Sequence, residues 1–160
     1  MSESGRGLNV ARGVVPHGSS YSITVMTSLT HPNGFVVSTP RIDTNTAETF
    51  FMYVIDLISN SDLVSGDILI VDNASIHYGA DIRDALDALL GFCNIELIFL
   101  PTYSPELNPV ELVFARLKHY IRHHRTSRPL LADLADACNF AISWANIVSF
   151  YYKCLVDFIT

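Results

Sequence analysis

Two short apolar runs on either side of an amphipathic stretch limit the fold most. "ILIVDN" (Ile68–Asn73) and "NIELIFLP" (Asn94–Pro101) are rich in branched apolar residues, and the second ends in proline. Between them, "GADIRDALDALLG" (Gly79–Gly91) spaces its apolar residues as one face of a helix and closes on a glycine stop. A continuous apolar run suits a strand buried on both faces, as in a parallel sheet. Strand, helix, strand in this order is an α/β pattern.

The flanking segments extend that pattern. "YSITVMTSL" (Tyr21–Leu29) and "FVVST" read as strands joined by the turn signal "HPNG", which predicts an antiparallel hairpin. "NTAETFFMYVIDLISN" (Asn45–Asn60) has helical spacing, with Thr44 or Asn45 as its cap. A further helix is expected over about 108–124, and one or two more from Arg128 onward. The expected architecture is one α/β domain over residues 1–160, a mixed sheet flanked by helices. Residues 1–20 form a loop, 21–124 the core and 125–160 C-terminal helices. With 49% hydrophobic and 16% charged residues, the chain can bury a real core. It has no apolar run near the ~20 residues that span a bilayer, and no apolar signal segment. Cys93, Cys138 and Cys154 have no metal-ligand spacing and read as thiols of a reducing compartment.

The net charge of −6 argues against general nucleic-acid binding through bulk charge. The distribution is uneven, however. Five of the ten Lys and Arg residues are Arg116, Lys118, Arg122, Arg125 and Arg128, and His119, His123 and His124 lie among them. Such a stripe either contacts phosphates or serves the C-terminal end of a helix dipole.

Two carboxylates stand out. Asp72 follows a strand, where it is either a functional acid or a turn cap. Glu111 lies three residues after Asn108, with Pro109 between them. That spacing reads as N-cap, N1 and N3 of a helix, a capping-box arrangement with Asn in place of Ser or Thr. Both acids come where a strand leads out at the same edge of one sheet, and such edges collect ligand-binding groups. Hard cations such as Mg²⁺ bind one or two carboxylates together with substrate phosphates. His77 could position substrate or water, or pack structurally at the loop. Adjacent His123 and His124 point in different directions on a helix, and no HExxH motif is present, which argues against zinc. Phosphate-binding glycine loops and a GxSxG elbow are also missing.

"LIVDNASIH" followed by "IELIFLPTYSPELNPVELVFARLKHYI" closely resembles the DDE transposase superfamily, in its mariner-like endonuclease branch. The matching residues are Asp72, Asn73, His77, Tyr103, Ser104, Pro105, Asn108, Pro109, Glu111 and Lys118, with weaker likeness through "RGVVPHGSSYSITVMTSL". The resemblance implies an RNase H-like fold and DNA strand cleavage and transfer with two Mg²⁺ or Mn²⁺ ions. It makes Asp72 and Glu111 the second and third catalytic acids and metal ligands. Asn73, His77 and Asn108 become accessory residues. Arg116, Lys118, Arg122 and Arg125 become DNA-contacting cations.

The chain departs from the family at its start. The family's first acid lies on a central strand in a segment resembling "DExSxDxRG", and here the start reads "MSESGRG". Aligned on Arg6-Gly7, the first aspartate falls before Met1, and neither Ser2 nor Glu3 replaces it convincingly. The expectation is an N-terminally truncated domain lacking its first strand, with impaired cleavage unless another transposase segment or a second copy completes it. The alternative is a non-catalytic, domesticated or decayed remnant that binds DNA or a protein partner. Either form is expected in the nucleus of a eukaryote or the cytoplasm of a prokaryote, with no membrane association.

Overall fold

The computed structural model describes residues 21–72 and 80–159. These residues form two compact units. One is built from Asn45–Ser104, and the other joins the segment up to Thr44 with Pro105–Thr160. Residues 1–20, the expected loop that follows the missing first strand, lie outside the described residues. No helix among the described residues is long and apolar enough to cross a membrane.

The first unit is the βαβ core with one preceding helix. Helix α1 (Ala47–Ser59) buries Phe50, Tyr53, Val54 and Leu57 on one face. Its cap is Thr46, not Thr44 or Asn45. The Thr46 hydroxyl accepts the Thr49 N–H (3.3 Å), and the Thr49 hydroxyl accepts the Thr46 N–H (2.8 Å). This is a capping box in which a threonine does the work usually given to Glu or Gln. Strand β3 (Ile68–Val71) pairs in parallel with β4 (Glu96–Phe99), in the register Ile68 to Glu96 and Val71 to Phe99. Helix α2 (Ala80–Phe92) makes the crossover.

Two expectations for this unit are corrected. First, β3 is not buried on both faces: Leu69 and Val71 are buried, while Ile68 and Ile70 are about half exposed. A four-residue run cannot reveal from composition alone whether one face or both are covered. Second, Gly91 does not stop α2, which runs through it to Phe92. The stop is Asn94, in the left-handed region at φ 55°. Its N–H reaches the Gly91 carbonyl (3.2 Å), and the Ile95 N–H reaches that of Leu90 (2.9 Å). This is a Schellman closure with Asn in the usual glycine position, sealed by burial of both Leu90 and Ile95.

The second unit packs a hairpin against three helices. Strands β1 (Val25–Thr27) and β2 (Phe35–Val37) pair antiparallel as expected. The turn between them closes at Gly34, whose φ of 77° favours glycine. Helices α3 (Pro109–His124), α4 (Leu130–Phe140) and α5 (Trp144–Ile159) follow a short 3-10 turn at Pro105–Leu107. The core joins Ile23 and Val25 of the hairpin region to Val113, Phe114, Leu117 and Ile121 of α3, Leu134 and Ala137 of α4, and Ile147 of α5. The apolar C-terminal stretch is thus two helices. They part at Ser143, whose hydroxyl accepts the Asn146 N–H (3.3 Å) while the Asn146 side chain accepts the Ser143 N–H (3.0 Å). Helix α5 covers the hairpin: Tyr151 Oη donates to the Thr27 carbonyl (3.0 Å), and Ile147 lies over Gly34.

Candidate active site

Asp72 is set by the parallel ladder. The Leu100 N–H reaches the carbonyl of Val71 (2.8 Å), so pairing continues to the residue just before the acid. Asp72 itself is half-buried, past the carboxyl end of β3. Asn73 and His77, the accessory residues expected beside it, lie outside the described residues.

Glu111 is set by a run of local turns. Tyr103 takes a left-handed backbone (φ 61°) with a 94% exposed side chain. A bulky residue rarely adopts that conformation. The 3-10 turn follows, and the Asn108 N–H closes on the Pro105 carbonyl (3.0 Å). Asn108 then caps α3, with Pro109 at the first helical position. The Asn108 side chain accepts the N–H of Val110 (3.1 Å), one residue earlier than the spacing of a capping box suggests. Glu111 thus sits half-buried in the first helical turn, where the dipole favours a carboxylate.

Helical spacing puts Glu111, Lys118 and Arg122 along one face of α3. Lys118 and Arg122 are exposed on it. The other two candidate cations have work within the fold. Arg116 Nε donates to the Ala141 carbonyl at the C-cap of α4 (3.2 Å). Arg125 binds Asp133, a carboxylate that is only 2% exposed. Asp133 also accepts the Thr126 hydroxyl (2.7 Å), and Arg128 reaches both it (3.5 Å) and Asp136. Burial alone would raise the Asp133 carboxyl. Hydrogen bonds from Thr126 and Arg125, with the Arg125 charge, outweigh burial and hold it below the usual carboxylate range. This cluster fixes the corner between α3 and α4. Sequence reading missed it because its partners lie five to eight residues apart across a chain reversal, a spacing with no local signature.

No group of three His, Cys, Asp or Glu side chains suited to a metal ion occurs among the described residues. Asp72 and Glu111 are hard oxygen donors, and that donor chemistry suits Mg²⁺ or Mn²⁺ better than softer metals. The three cysteines remain thiols.

Comparison with known proteins bears on the family and the fold. The family model described as a DDE superfamily endonuclease matches residues 3–130. Among solved structures, the chain is similar to a Mos1 transposase paired-end complex with the left transposon end. The TM-score is 0.61 at 20% identity, over 91% of this chain and 45% of that one. It is also similar to a Mos1 mariner paired-end complex with Mn (TM-score 0.57, 18% identity, 89% of this chain and 44% of that one). A third likeness is to a Mos1 strand transfer complex (TM-score 0.56, 18% identity, 91% and 44%). The chain therefore spans a little under half the length of those transposase chains. No curated protein sequence matches it. The structural likeness bears out the expected RNase H-like α/β fold, in the form found in a mariner transposase. On the strength of the family match, the chain belongs to the DDE superfamily endonucleases.

Proposed function

We propose that the chain acts as the catalytic domain of a metal-dependent DNA endonuclease that cuts and joins strands, with Asp72 and Glu111 as metal-holding acids. The observation that carries this reading is α3. It begins so that a carboxylate in its first turn shares one face with two exposed cations, Lys118 and Arg122. An acid and phosphate-binding cations on one helix face suit a site that receives a DNA backbone. In this reading Lys118 and Arg122 neutralise phosphates, and Asn108 holds the helix start so that Glu111 keeps its place. Mg²⁺ or Mn²⁺ bound there would stabilise the attacking and leaving oxygens of the phosphoryl transfer. The Mn in one Mos1 complex supports a divalent metal here.

The test is Mn²⁺ titration by calorimetry or proton relaxation, alongside nicking of supercoiled DNA by a chain extended upstream. Asp72→Asn and Glu111→Gln should each weaken Mn²⁺ binding and abolish nicking. Unchanged Mn²⁺ affinity in both variants would sink the proposal. A second reading, DNA binding without cleavage, rests on the same exposed cations. It predicts salt-sensitive binding that is lost in Lys118→Glu/Arg122→Glu and unaffected by Asp72→Asn.

A further inference from the structure

The C-terminal half of α3 carries three histidines that neither the acids nor the cation face employs. Adjacent His123 and His124 draw attention in the sequence, but the fold pairs each with a residue one turn earlier. His119 and His123 bring their ring centroids within 4.1 Å, tilted by 35°. His123 Nδ1 lies 2.8 Å from the His119 carbonyl oxygen. A carbonyl can only accept, so Nδ1 carries the proton and the neutral ring presents its lone pair at Nε2. Fixing the tautomer through a backbone carbonyl is how proteins commonly orient a metal-ligating imidazole. Both side chains are exposed, so a hydrated ion can reach them and the rings can turn to meet it. His124 differs. Its Nδ1 is held by the Tyr120 carbonyl (2.9 Å), and its ring stacks on Tyr120 at 4.2 Å, which supplies no second imidazole.

We propose that His119 and His123 form a two-imidazole site for a transition-metal dication of the Zn²⁺ class. The spacing, i and i+4 on one helix face, is the one by which paired histidines bind zinc in helical metalloprotease motifs. Two imidazoles leave the other tetrahedral positions to water or an oxygen ligand. The site differs in chemistry from the carboxylates: Mg²⁺ prefers oxygen donors and does not compete for imidazole. Exposed Lys118 and Arg122 nearby repel a bare dication, which keeps the affinity modest. Their charge favours an anionic oxygen, such as a phosphate, as the completing ligand.

Calorimetric titration with Zn²⁺ in excess Mg²⁺ tests this on the whole chain and on His119→Ala, His123→Ala and His124→Ala. Circular dichroism confirms that each variant is folded. One equivalent is expected to bind the wild type and the His124 variant alike. Loss of either ligand should weaken binding by at least the roughly 10-fold that even an outer-sphere partner is worth. The proposal is overturned if the wild type binds no Zn²⁺, if both ligand variants bind like the wild type (as they would if thiols or carboxylates were the ligands), or if His124→Ala weakens binding as much as they do.

Discussion

Asp133→Asn probes the α3–α4 corner most directly. The carboxylate is 2% exposed and accepts hydrogen bonds from Thr126 and Arg125, with Arg128 3.5 Å away. A hydrogen bond to a charged group contributes about 1.5–3 kcal/mol. The Arg125 side chain is 26% exposed and that of Arg128 50%, so water screens part of this and the Arg128 share is small. The amide keeps the shape and still offers Thr126 an acceptor. What is lost is the ionic part, and an NH₂ group is turned toward Arg125. The net cost is about 2 kcal/mol, a fall of roughly 4–8 °C in Tm for a chain of this size. The sign of the pH dependence follows from linkage. The folded-state pKa of Asp133 is depressed, so its stabilisation is complete above the unfolded value near ~3.9 and is lost as pH falls through the folded value. Thermal unfolding followed by circular dichroism should show a constant gap between wild type and variant from neutral pH to about pH 4, closing in more acid solution. A gap below ~0.5 kcal/mol at neutral pH, the range of ordinary surface substitutions, would refute the reasoning. So would a gap that persists undiminished in acid.

Two further substitutions test the local readings. Gly34→Ala places a Cβ 2.7 Å from Ile147 Cγ1 at a φ of 77°. The left-handed penalty of about 1–2 kcal/mol and overpacking of about 1–3 kcal/mol should together destabilise by roughly 2–5 kcal/mol in urea denaturation. In a double-mutant cycle with Ile147→Ala, which removes the Cγ1 that the new Cβ meets, Gly34→Ala should cost less than it does alone. Asn108→Ala removes the cap on Val110 and should cost about 1 kcal/mol. It should also weaken Mn²⁺ binding if Glu111 is a ligand, whereas unchanged Mn²⁺ affinity would separate the cap from the site.

Much of the fold is local, and that part was legible. Alternation and turn residues gave the hairpin, and the paired apolar runs gave the parallel β3–β4 unit. Asn108-Pro109 announced the start of α3, because a capping side chain and a fixed φ act on the residues that follow directly. Errors came where local signals compete. Gly91 looked like a helix stop, yet Asn94 closes the helix, because burial of Leu90 with Ile95 selects which residue takes the left-handed turn. Thr46 caps α1 because its partner, Thr49, lies one turn on, a choice composition alone could not rank against Thr44 and Asn45.

The acids illustrate the division most clearly. The sequence by itself identified the family and singled out Asp72 and Glu111 as candidate acids, because a strand end and a capped helix start are written in a few consecutive residues and the loop motif is long. It also displayed the basic stripe, but not what each cation does. Only the tertiary structure committed Arg125 to a buried carboxylate and Arg116 to a helix end, left Lys118 and Arg122 exposed, and laid His123 over His119. The reason is physical: local dihedral preferences depend on neighbours in the chain, whereas the role of a long charged side chain depends on which partner the packing of distant elements brings within reach.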